Sequence, residues 1–185
     1  MVFRTIGAAA LAAFASSTPA DAAVTVLGGG FAHSCYQAAE FKRPLRTGLI
    51  DCDTALKEET LSPKDRAATH VNRGILHMFE RDFDQAIADY DSAIRISPKL
   101  AEAYVNKGIA VLHQGNNHGY AVELLSKGLS LDPVRPEVAF YSRGVANEMA
   151  GNTREAYYDY NQAAALKPEW EEPQKELKRF KVVDQ

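Results

Sequence analysis

The sequence predicts an all-α protein, a short α-solenoid of antiparallel helix pairs closed by a C-terminal capping helix. Three observations predict it. Ala86-Tyr90-Ala93-Pro98, Ala121-Leu125-Gly128-Pro133 and Ala156-Tyr160-Ala163-Pro168 share steps of four, three and five, and successive series lie 35 residues apart. Upstream of each sits a glycine, Gly74, Gly108 or Gly144, preceded by VNR, VNK or YSR. Phe83, Ala86, Ile87, Tyr90, Ala93 and Ile94 fall on one helical face. A hairpin recurring at this period cannot bury its apolar face alone, so it stacks on the next.

The N-terminus is different material. Residues 1–22 carry one cation, Arg4, then an apolar run from Ile6 to Phe14, then small residues ending in Ala20-Asp21-Ala22. This is the pattern of a secretory signal peptide, with cleavage expected between Ala22 and Ala23. The run is too short for the roughly 20 residues that span a bilayer, so no integral membrane segment is expected after cleavage. The expected location is periplasmic or secreted. Residues 23–31 form a leader whose three glycines, Gly28 to Gly30, cannot hold a helix.

First helices are expected over roughly 65–79, 100–114 and 137–150, and second helices over 84–96, 120–131 and 154–166. Asp82 with Gln85, and Asn152 with Glu155, have the spacing of capping boxes. The SP, DP and KP pairs end the second helices, because proline disfavours helix in the residue before it. Gly74 and Ala86 allow a close crossing, and Tyr90, Leu125 and Tyr160 fill the space beside it. Trp170, Leu177 and Phe180 give PEWEEPQKELKRF one apolar side, as a capping helix requires, and 171–185 is assigned to the capping helix and tail.

These landmarks, in this order and spacing, resemble the tetratricopeptide repeat family, in the manner of exported bacterial proteins. The resemblance covers three units, 67–100, 101–136 and 137–170, with 32–66 as a degenerate first hairpin. One departure is systematic: Arg73, Lys107 and Arg143 stand where the family usually has an apolar residue. Asp89 and Asp159 each lie 16 residues after an arginine, Arg73 and Arg143. Ion pairs within the repeats are the favoured explanation, and a basic ladder for an anionic ligand the alternative.

Gly48, Cys52 and Ala55 repeat the four-three spacing of Ala86-Tyr90-Ala93, which makes Cys52 the counterpart of Tyr90. Cys35 then lies on the facing helix, so a disulfide between Cys35 and Cys52 is expected in an oxidising compartment. No CxxC redox motif is present, and two lone cysteines make a poor zinc site.

Catalytic signals are missing: there is no HExxH, GxSxG or P-loop pattern, and the five histidines are scattered. A net charge of −3 gives no footprint for nucleic acid. No cofactor or metal is expected, and the chain is not expected to be an enzyme. The resemblance implies a protein or peptide partner in a concave groove lined by first helices. Carried over position by position, the partner-binding residues are Asn72, Ile75, Phe79, Asn106, Ile109, His113, Tyr141, Val145 and Met149. Asn72 and Asn106 stand where related domains bond a peptide backbone. The groove could instead be covered by the leader, the first hairpin or the cap. Self-association as a structural subunit of an envelope assembly is the second functional reading.

Overall fold

The computed structural model describes residues 2–5, 22–26, 29–41, 44–115 and 117–183. Nine helices occur among them: α1 (Phe31–Phe41), α2 (Leu45–Glu58), α3 (Pro63–Phe79), α4 (Phe83–Ile96), α5 (Ala101–Gln114), α6 (His118–Leu129), α7 (Pro136–Met149), α8 (Thr153–Leu166) and α9 (Glu171–Leu177). They pair as α1–α2, α3–α4, α5–α6 and α7–α8, each hairpin packing on the next and α9 packing on α8. The architecture is the predicted solenoid of antiparallel helix pairs.

The helix crossings are set by glycine. A Cβ added at Gly74 would sit 2.5 Å from the Tyr90 ring, and one at Gly144 would sit 2.8 Å from the Tyr160 ring. Gly108 meets Leu125 in the same way at 2.7 Å. Tyr90, Leu125 and Tyr160 are fully buried at these crossings. Burying such a side chain contributes roughly 1.5–3 kcal/mol by area.

Local signals explain most helix starts. The Ser62 hydroxyl caps α3 at the Asp65 N–H, 3.1 Å, with Pro63 at the first helical position. Asp82 accepts the Gln85 N–H at 3.2 Å, as its spacing implies. Asn152 makes no such cap; its side chain donates instead to Asn147 Oδ1 at 3.2 Å, a partner one helix back. Asn117 caps α6 through the Tyr120 N–H at 3.0 Å, a start the sequence reading passed over.

The C-terminal cap is shorter than expected. Helix α9 stops at Leu177, and β2 (Phe180–Val183) follows. Arg179 bonds the carboxylates of both Glu148 and Glu176, which holds the chain at the turn. Phe180 is then buried against Tyr157 and Tyr160. The strand pairs antiparallel with β1 (Val2–Thr5), Val2 opposite Val183 and Thr5 opposite Phe180. No strand was expected; a free strand edge after α9 offers unpaired backbone groups that a second strand satisfies. The rest of the expected signal sequence, Met1 and residues 6–21, lies outside the described residues.

Candidate functional site

The candidate site is the face formed by the first helices α3, α5 and α7. Asn72 on α3 and Asn106 on α5 are both fully buried, so their amides need partners. The leader provides them. Asn72 Oδ1 accepts the Val24 N–H and its Nδ2 donates to the Val24 carbonyl, both at 2.8 Å. Asn106 treats Ala22 alike, accepting its N–H at 3.4 Å and donating to its carbonyl at 3.1 Å. Each asparagine thus satisfies both polar groups of one residue, and the two residues served are two apart, as in an extended chain.

The leader is held further along as well. The Val26 carbonyl bonds His33 Nδ1 at 3.0 Å, and Val26 packs with Ala32, Ala55 and Ala68 in a small apolar cluster. Ala22 and Val26 are 4% and 3% exposed, Val24 is half-buried, and Thr25 faces solvent. The side chains turned inward are therefore small. Glu59 accepts the N–H groups of Phe31 and Ala32 at 2.6 and 3.1 Å. It caps α1 from the end of α2, because the orphan donors of a helix N-terminus favour a negative partner.

The other residues singled out on this face lie as follows. Ile75, Ile109 and Val145 are in the buried core, while Phe79 and Met149 are half-buried against it. His113 stacks on Phe83, with centroids 5.7 Å apart and planes 14° apart. Burial, helped by the Arg81 charge, pushes its imidazole below the ordinary range. Tyr141 lies under the cap, 4.8 Å from Trp170 and 5.7 Å from Tyr160. Burial and the nearby carboxylates push its phenol well above the usual tyrosine range. Glu40 at the end of α1 pairs with Arg135 at 3.2 Å, tying the first hairpin across to the start of α7. Leader, cap and this bridge all lie at or around the first-helix face.

Cys35 and Cys52 form a disulfide, with α-carbons 4.8 Å apart across the α1–α2 crossing. Gly48 makes that crossing close, since a Cβ there would lie 2.5 Å from Ala38 Cβ.

The basic residues before the glycines are engaged. Arg73 donates from Nε and Nη2 to Asp89 at 2.8 and 2.6 Å, and from Nη1 to Asp53 on α2 at 2.6 Å. Arg143 holds Asp159 at 2.9 and 2.7 Å and reaches Ser126 on α6 at 3.1 Å. Lys107 differs, bonding Asp91 of the preceding repeat at 2.6 Å and the Tyr120 hydroxyl at 3.0 Å. Burial alone would raise the Asp89 carboxyl, but hydrogen bonds from His70 and Arg73 outweigh it and hold Asp89 below the usual range. The ion-pair explanation accounts for Arg73 and Arg143, and the cations are not arranged as a free ladder for an anion.

Among the described residues, no cluster of three histidine, cysteine or acidic side chains could hold a metal. No described helix is long and apolar enough to cross a membrane.

A model of the TPR repeat matches residues 82–115, spanning α4 and α5. Human "Tetratricopeptide repeat protein 6" is 31% identical over 99 residues, 54% of this chain and 18% of that protein, so the chain spans under a fifth of this relative's length. The solved second TPR domain of human RPAP3, in complex with the HSP70 peptide SGPTIEEVD, superposes with a TM-score of 0.58 at 25% identity. That match covers 63% of this chain and 96% of the domain. The crystal structure of MamA gives a TM-score of 0.65 at 16% identity, covering 82% of each chain, a likeness of fold.

Proposed function

From the premise that this chain is a tetratricopeptide-repeat protein, we propose that it is a non-catalytic scaffold that holds an extended segment of another protein on its first-helix face. The observation that carries this reading is the pair of two-way amide contacts from Asn72 and Asn106 to backbone two residues apart. Such contacts recognise an extended chain whatever its side chains, and apolar packing adds the selectivity. The peptide in the RPAP3 complex supports the mode, because a related domain there carries a peptide. Its acidic end has no counterpart here: the residues singled out on this face are apolar or neutral, and Arg73, Lys107 and Arg143 are held by their own partners.

Placement in the periplasm or outside the cell belongs to the same proposal. The Ala20-Asp21-Ala22 pattern supports it, cleavage after Ala22 freeing Asn106 and leaving Val24 on Asn72, as does the disulfide, which persists in oxidising compartments. The test is crosslinking in the native envelope with wild type and an Asn72→Ala/Asn106→Ala variant of unchanged helical content. Loss of captured proteins in the variant is expected. An identical set captured by both chains would overturn the reading.

A further inference from the structure

The α3 and α5 part of the first-helix face already holds an extended segment, and that segment belongs to the same chain. We infer that the leader is the resident competitor of the site, as segment 22–26 in the uncleaved chain and as residues 23–26, held by Asn72 alone, after cleavage between Ala22 and Ala23, and that a partner strand with small apolar side chains at alternate positions binds by displacing it. This rests on the reading of the face as an extended-peptide site.

The geometry defines both occupant and exchange. Ala22, Val24 and Val26 alternate along the chain, with the first and last nearly inaccessible and Thr25 exposed. An occupant must therefore offer small residues at positions one and five, while position four is free. One repeat advances the bound chain by two residues, since Asn106 and Asn72 are 34 apart in sequence and serve Ala22 and Val24. The two asparagine contacts are unequal. Those of Asn72 are both 2.8 Å, whereas those of Asn106 are 3.1 and 3.4 Å. Beyond them, Val26 is fixed by His33 and its own apolar cluster. Among the described leader residues the hold is looser at Ala22 than at Val24 and Val26, and a partner enters at Asn106 and works toward Asn72.

The third repeat has Ser142 where its neighbours have asparagine. Serine lacks an amide that can both donate and accept in this way, so the two-way clamp has two members. A tethered competitor acts at a high effective concentration, and the apparent affinity for a free peptide falls by the fraction of time the face is open.

The test uses the full, uncleaved chain, which keeps Ala22, and a fluorescent, acetylated and amidated peptide copying residues 22–26, Ala-Ala-Val-Thr-Val. Val24→Pro removes the N–H that Asn72 accepts and leaves the helices untouched; Ala22→Arg is the second leader variant. Both variants should bind the peptide at least tenfold more tightly than wild type. Adding Asn72→Ala to Val24→Pro should remove the gain. Equal affinity for wild type and both leader variants would overturn the competitor and leave the binding face standing. No binding to any of the three, with helical content intact, would overturn the binding face itself. A peptide with phenylalanine at the positions of Ala22 and Val26 should bind at least tenfold more weakly, and equal binding would refute the size rule.

Discussion

Replacing Asp89 by asparagine tests the interior of the first clear repeat. Asp89 has a side chain only 5% exposed and accepts from His70 at 2.9 Å and from Arg73 at 2.8 and 2.6 Å. Asparagine keeps the volume but removes the charge and turns one acceptor into a donor facing the guanidinium. Breaking a buried ion pair from one side costs about 3–5 kcal/mol. Arg73, however, is 22% exposed and keeps Asp53, whose side chain is 48% exposed, so the expected loss is about 2–3 kcal/mol. With a urea slope near 2 kcal/mol per molar, the unfolding midpoint should fall by about 1–1.5 M at pH 7. The sign of the pH dependence follows from the depressed carboxyl. A carboxylate held below its unfolded value stabilises the fold above that unfolded value, near 4, and loses the contribution as pH falls through its folded value. The gap between wild type and Asp89→Asn should therefore narrow in acid. A midpoint shift under about 0.3 M at pH 7, or a gap that widens on acidification, would refute the reasoning.

Other outcomes follow from the same structure. Gly74→Ala places a methyl group against the Tyr90 ring and should cost about 1–3 kcal/mol in urea unfolding; a neutral result would mean the crossing has slack. Reducing the Cys35–Cys52 bond, which links residues 17 apart, should lower stability by about 3 kcal/mol, measured as the shift of the unfolding midpoint with and without reductant. Trp170 is the only tryptophan, and it packs on Tyr141, so its emission reports cap docking. Tyr141→Ala should red-shift that emission and destabilise the chain by about 3 kcal/mol, and unchanged emission would show that the cap does not depend on the contact.

The helix pairs were legible because their determinants are local and repeat. Gly74, Tyr90 and Pro98 say where a hairpin crosses and where it ends, and two further copies confirm the meaning of each. The disulfide was legible for a related reason, since Gly48, Cys52 and Ala55 place one sulfur on the repeat's own grid. The partners of Arg73 and Arg143 followed from a fixed offset of 16, but Lys107 broke the rule. Its repeat has Glu123 at that offset, and the lysine reaches back to Asp91 instead. The roles of Glu59 and of the leader could not be read from periodicity. Glu59 caps a helix that begins 28 residues earlier, and Val24 meets Asn72 across 48. Both contacts depend on how the first hairpin packs, which no spacing records. At the site, the resemblance offered Asn72 and Asn106 as backbone-binding positions and the leader as one of three covers for the groove, yet no spacing shows that Ala22 and Val24 are the residues they hold.

The cations in front of the glycines have a thermodynamic consequence. Arg73, Lys107 and Arg143 each bond their own hairpin and the preceding one, so each belongs to a junction rather than to a single repeat. In a linear array, stability is a sum of intrinsic repeat terms and nearest-neighbour coupling. Placing a charge-assisted bond at successive boundaries moves weight from the first kind to the second. Melting should then be concerted: fraying one hairpin strands the cation of its neighbour, and the penalty passes along the array. Amide exchange would show this as near-equal opening free energies across α3 to α8, instead of a gradient rising from the ends to the middle.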